Sequence, residues 1–105
     1  MMHINRESLQ IKIDYEKSAE KFFRKHEDIR QEYVSLLWEL YCGEHPERVD
    51  IKTIKGKKGL YYRMKLGNWR VIYTELKDRI LVINTLHAGS RGDIYKKLGG
   101  LKSLL

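Results

Sequence analysis

Leu9, Ile11 and Ile13 alternate with Gln10, Lys12 and Asp14, the two-residue period of a short strand with one buried face. Asp14 then reads as a helix cap, and over about residues 15–26 the apolar positions Ala19, Phe22 and Phe23 fall at helical spacing. A second helix follows, with Asp28 and Gln31 as a capping box and with Tyr33, Leu36, Leu37, Leu40 and Tyr41 on one face at i, i+3, i+4, i+7 and i+8. Gly43 and Pro46 are its stop signals, and residues 44–59 read as a polar, basic connection. Strands are predicted at about 60–66, 69–76 and 79–87, each joined to the next by a short turn. Ser90 and Asp93 stand three apart as a further capping box. Arg91 would then open a short last helix, Tyr95 would lie one turn on along the same side, and Gly99-Gly100 would end it.

The predicted order is therefore βααβββα, an α+β fold. Two N-terminal helices pack on one face of a small, mainly antiparallel four-stranded sheet, and a short C-terminal helix follows. At 105 residues with 42% hydrophobic and 33% charged content, a single domain over 1–105 is the expectation.

Alternation on the predicted hairpin has a chemical consequence. With Gly67-Asn68 as a two-residue turn, Leu66 faces Trp69, Lys65 faces Arg70, Met64 faces Val71 and Arg63 faces Ile72. Tyr62, Met64, Leu66, Trp69, Val71 and Tyr73 then share an apolar face, which leaves Arg63, Lys65 and Arg70 together on the other, expected to be open. Like charges opposite one another cost up to about 1 kcal/mol, so the arrangement suggests an anion between them.

Charge along the chain points the same way. Residues 1–50 carry 8 bases and 11 acids, a net of −3, whereas 51–105 carry 13 bases and 3 acids, a net of +10. Between Asp50 and Glu75 there are seven bases and no acid. A polyanion is the expected partner, with nucleic acid ahead of a membrane surface. The first residues lack the apolar core of a secretory signal, and the longest uncharged run, 80–90, is far short of the ~20 residues a spanning helix needs. A cytoplasmic protein with no membrane partner is expected. The lone Cys42 cannot close an internal disulfide and reads as a small residue packed near a helix end. The four histidines, at 3, 26, 45 and 87, show no ligand spacing, so neither a metal nor another cofactor is expected.

Four stretches, in order, resemble the RelE/ParE superfamily of small bacterial toxins from toxin-antitoxin modules: Lys17-Ser-Ala-Glu-Lys-Phe22, Asp50-Ile-Lys-Thr-Ile-Lys-Gly-Lys-Lys-Gly59, Tyr62-Arg-Met-Lys-Leu-Gly-Asn-Trp-Arg-Val-Ile-Tyr73, and Arg91-Gly-Asp-Ile-Tyr95. The likeness to the RelE branch implies a ribosome-dependent endoribonuclease, an mRNA interferase that needs no metal. In this chemistry the ribose 2'-hydroxyl attacks the adjacent phosphate. It implies Arg63, Lys65, Arg70, Arg91 and Tyr95 as the catalytic set. It also implies a cognate antitoxin as partner, and contact with DNA only through the toxin-antitoxin complex. Two departures stand out: Arg63 occupies a position where relatives often carry Lys, and His87 is separated from Arg91 where many relatives have His and Arg adjacent.

Phosphodiester cleavage needs alignment of the 2'-oxygen, neutralisation of charge on the phosphoryl oxygens, and proton transfer at both ends. Arg63 and Arg70, with Arg91 as an additional clamp, are assigned to the phosphate, because a guanidinium fork matches its oxygens. Lys65 is the candidate base or acid. Tyr95 is a candidate to stack on a base or to protonate the leaving oxygen, and reads equally as an aromatic packing the last helix. Lys52, Lys55, Lys57 and Lys58 read as a loop gripping RNA phosphates. Two other classes remain: a ParE-like, non-enzymatic inhibitor of DNA gyrase, and a basic RNA-binding or ribosome-binding module without turnover.

Overall fold

Gly67 is where the chain must reverse, and its φ of +58° lies in the left-handed region that glycine enters without a Cβ clash. The strands on either side pair in the register that alternation demands: Leu66 with Trp69, Lys65 with Arg70, Met64 with Val71 and Arg63 with Ile72. In the computed structural model, which describes residues 10–56 and 59–98, these strands are β3 (Gly59–Leu66) and β4 (Trp69–Lys77). Leu9, the Gly99-Gly100 stop, residues 101–105 and the candidate RNA-binding Lys57 and Lys58 lie outside the described residues.

The remaining elements are β1 (Ile11–Tyr15), α1 (Lys17–Lys25), α2 (Glu27–Cys42), a 3-10 turn at Pro46–Arg48, β2 (Ile51–Gly56), β5 (Leu81–Ser90) and α3 (Arg91–Leu98). The fold is α+β. Among the described residues there are three helices and one five-stranded mixed sheet, ordered β1-β5-β4-β3-β2. One expectation is corrected here. The sheet has five strands instead of four, because the supposed connection contains β2, paired antiparallel with β3 from Ile51↔Met64 to Gly56↔Gly59. The first strand joins the meander in parallel, with Ile11 opposite Leu81 and Tyr15 opposite Thr85.

Helix starts also differ from the sequence reading. Asp14 is still within β1, opposite Asn84, so it caps nothing; Glu16 holds the N-cap position of α1 without a side-chain bond. Asp28 lies inside the first turn of α2, behind an N-cap at His26, so no capping box forms there. Acidic Glu27 and Asp28 still sit in that turn, where the helix dipole favours negative charge. At α3 the first bond of the expected box is present, with the Asp93 N–H donating to Ser90 Oγ at 3.2 Å. Cys42 is the last residue of α2, and its Sγ donates to the Trp38 carbonyl at 3.1 Å.

One face of the sheet meets α1 and α2 in a core containing Ala19, Phe23, Tyr33, Leu37, Met64, Val71 and Tyr73. Tyr33 and Thr85 close it with a fully buried hydrogen bond of 2.7 Å. On the opposite face Ile94 of α3 packs on Ile54 of β2 and Ile72 of β4, all three inaccessible to solvent. The face expected to be open is therefore partly roofed by α3.

A bulge shapes the end of β5. Ile72 pairs with His87 and Tyr73 with Thr85, which leaves Leu86 as the extra residue. Because of that insertion, Thr85 and Ala88 are both buried although they stand three positions apart, a spacing that would place them on opposite faces of a regular strand. β1 ends at Tyr15, the Glu16 N–H donates to the Thr85 carbonyl at 2.8 Å, and α1 continues from there. This hand-over sets α1 beside the last part of β5, where α3 begins.

Candidate active site

Cross-strand pairing fixes which cations share the α3 face. Lys52 of β2 stands opposite Arg63 of β3, which stands opposite Ile72 of β4; in the neighbouring row Lys65 stands opposite Arg70, which stands opposite Gly89 of β5. Paired residues point to the same side, so the strands present Lys52, Arg63, Lys65 and Arg70 together. The turn into α3 then brings Arg91 towards the same place.

The two central guanidiniums are not bare. Arg63 is 6% exposed and Arg70 is 7% exposed, whereas Lys52, Lys65 and Arg91 are on the surface. The expectation of an open cationic face is corrected accordingly: both arginines are almost wholly buried, on a face that α3 partly roofs through Ile94. Arg63 is also neutralised, with Nη1 donating to Asp50 Oδ1 at 3.1 Å. Asp50 itself is held in place by its backbone, whose carbonyl accepts from the Lys65 N–H at 3.0 Å.

Arg70 has no carboxylate partner among the described residues. Its Nη1 donates to the carbonyls of Gly67 at 3.0 Å and Trp69 at 3.1 Å. The Nε atoms of Arg70 and Arg63 are both buried and have no acceptor among the described residues. Burial lowers the Arg70 pKa from its ordinary value; the positive charges of Arg63 and Arg91 lower it further, and Asp50 and Tyr95 act in the opposite sense. Arg63 and Arg70 lie in adjacent rows of one sheet face, Asp50 is bonded to Arg63, and Arg91 is bonded to Tyr95. Arginine remains protonated in proteins, so the cluster keeps its charge and gains from a bound anion.

On α3 the four-residue spacing places Arg91 over the Tyr95 ring, with the guanidinium carbon 4.5 Å from the ring centre. Arg91 Nη2 donates to the Tyr95 hydroxyl oxygen. That oxygen is thereby an acceptor, and the Tyr95 O–H proton is free to be given to another group.

The structure thus brings together Arg63, Lys65, Arg70, Arg91 and Tyr95 and adds two residues that sequence reasoning placed otherwise. Asp50 was a boundary marker of the basic stretch and is the counter-ion of Arg63. Lys52 was assigned to an RNA-gripping loop and lies on β2, directly opposite Arg63. Lys55 is on β2 as well, but an odd number of residues from Lys52, so the two lysines point to opposite faces and do not form one track. Trp69, Tyr62 and Tyr73 lie with the helix-side core.

Chemically the cluster can hold a phosphate among guanidinium donors, with a phenol and an exposed ammonium at its margin. Among the described residues no three His, Cys, Asp or Glu side chains converge as metal ligands, and no helix is long and apolar enough to cross a membrane. No protein-family profile, no curated protein and no solved structure matches this chain.

Proposed function

We propose that this chain is a RelE-like toxin, an endoribonuclease that cuts messenger RNA on the ribosome and is silenced by a cognate antitoxin. The observation that carries the proposal is the face that cross-strand pairing gives Arg63, Lys65 and Arg70, beside the Arg91–Tyr95 pair of α3, with Arg70 held by carbonyls and, among the described residues, by no carboxylate. A buried cluster of guanidiniums is costly to keep unless it meets an anion, and a phosphodiester is the anion that the charge distribution favours.

In the proposed reaction the 2'-oxygen attacks phosphorus while the bond from phosphorus to the 5'-oxygen breaks, leaving a 2',3'-cyclic phosphate and a 5'-hydroxyl. Arg70 and Arg91 stabilise the charge growing on the phosphoryl oxygens. Lys65, exposed opposite Arg70, serves proton transfer from the 2'-hydroxyl, and Tyr95 gives its proton to the departing oxygen. Arg63 joins the phosphate when Asp50 releases it. Arg70 turns from the Gly67 and Trp69 carbonyls to the phosphoryl oxygens, while α3, seated on Ile54 and Ile72, keeps Arg91 and Tyr95 in place.

One observation favours a second reading, binding to RNA or the ribosome without turnover: Arg63 is already paired with Asp50, which removes one cation from the site. The test adds the purified protein to translating ribosomes and, separately, to a DNA gyrase supercoiling assay. New messenger ends without gyrase inhibition support the nuclease. Ribosome binding with intact messenger supports the second reading, and gyrase inhibition without RNA cleavage supports the ParE-like alternative.

A further inference from the structure

The described structure has a second basic site, on the far flank of α3. An open groove of about 480 Å³ runs between α1 and α3 past the end of β5, and its walls carry Lys21, Lys25, Lys97, Phe22, His26 and Asp93. None of the three lysines is in an ion pair among the described residues. Lys97 Nζ donates to Ser18 Oγ at 2.7 Å, which ties α3 to α1 and fixes one ammonium at the groove's edge. Phe22 stacks on His26 with ring centres 4.3 Å apart, and both rings approach Trp69, at 5.2 and 5.0 Å.

Helical geometry connects this groove to the arginine cluster. Successive residues turn by about 100°, so with Ile94 and Leu98 packed on the sheet, Arg91 and Tyr95 fall on one flank of α3 and Asp93 and Lys97 on the other. Gly89, in the groove wall, is the cross-strand partner of Arg70. The two sites therefore adjoin across the end of β5.

From this arrangement we infer that the α1–α3 groove binds a nucleotide of single-stranded RNA adjoining the linkage held at the arginine cluster. Lys21, Lys25 and Lys97 meet its phosphate, and a base lies against the Phe22 and His26 rings. Ammonium groups beside an aromatic ledge are the combination single strands require: charge for the backbone and a π-face for any base. Asp93, the one carboxylate on the wall, is an acceptor for a ribose 2'-hydroxyl, a group that DNA lacks. An acidic peptide would leave the aromatic ledge unused, whereas a base can lie against it. The inference rests on the reading of this chain as an RNA-directed protein, but it is tested without ribosomes.

The probe is a short, fluorescently labelled single-stranded RNA carrying 4-thiouridine, titrated into the full chain at several salt concentrations. The double variant Lys21→Gln/Lys25→Gln is compared with Lys12→Gln/Arg79→Gln, an equal charge change on exposed residues of β1 and of the turn before β5. Circular dichroism verifies that both variants are folded. The groove variant should weaken binding at least about tenfold and reduce the salt slope by about one unit per lysine, with less than about a twofold change in the control. Photocrosslinks should map to Phe22 or His26. Equal losses in both variants, crosslinks elsewhere, or equal displacement by polyglutamate and by unlabelled RNA would overturn the inference. Absence of messenger cleavage on ribosomes, with these binding results intact, would sink the nuclease and leave the groove standing.

Discussion

Asp50 binds Arg63 at 3.1 Å from opposite sides of the water boundary: the carboxylate side chain is 55% exposed and the guanidinium side chain 7% exposed. A buried cation leaning on a solvated anion sets both the stability of β2 against β3 and the charge available to a ligand. Replacing Asp50→Ala strands that cation, at a cost of about 1 kcal/mol after allowance for solvent screening of the carboxylate. The same variant should bind RNA more tightly, because a guanidinium is released. Urea unfolding and RNA titration measure the two effects, and unchanged stability with weaker binding would contradict this role for Asp50.

Tyr33 and Thr85 share a hydrogen bond in the middle of the core, where both are fully buried. Thr85→Val leaves the phenol without a partner and should cost about 1–3 kcal/mol. Tyr33→Phe leaves the Thr85 hydroxyl in the same position. The double variant removes both polar groups and should be more stable than the sum of the single losses implies, a coupling that a double-mutant cycle reads directly. Strict additivity would mean that the bond contributes nothing.

His87 gives the fold a dependence on acid. Burial lowers its pKa below the ordinary 6.5, the Lys97 ammonium adds to that effect, and Glu16 opposes it. Ser18 Oγ, 3.3 Å from Nδ1, is its neutral partner. As the pH falls through 6.5 the unfolded chain takes up this proton before the folded one does. Stability should therefore decline from that pH down to the folded-state pKa and level off below it. Melting temperatures followed from about pH 8 to pH 5 should fall more steeply for the wild type than for His87→Gln. Parallel curves would rule out His87 as the source.

The hairpin was legible because its signals agree. Gly67 supplies the reversal, and Met64, Leu66, Trp69 and Val71 alternate strictly, so one register satisfies both demands. β2 was hidden for a physical reason. Its apolar residues, Ile51 and Ile54, are three apart and enter the cores on opposite faces of the sheet, so no two-residue period appears among its lysines. The exposure of the arginines was misjudged because alternation assigns a residue to a face and cannot say what covers that face. Here Ile94, from the far end of the chain, packs on Ile54 and Ile72. Asp50 escaped notice as a counter-ion because its contact with Arg63 depends on β2 pairing with β3.

The central claim is that Arg70, held by carbonyls and free of any carboxylate among the described residues, stabilises a scissile phosphate. The direct measurement is messenger-end mapping on translating ribosomes with the wild type, Arg70→Ala and Lys65→Ala. Wild-type protein should generate new ends carrying a cyclic phosphate, and each variant should remain folded and ribosome-bound while cleaving at least about 10²-fold more slowly. Intact messenger with the wild type, or cleavage by Arg70→Ala at the wild-type rate, would contradict it.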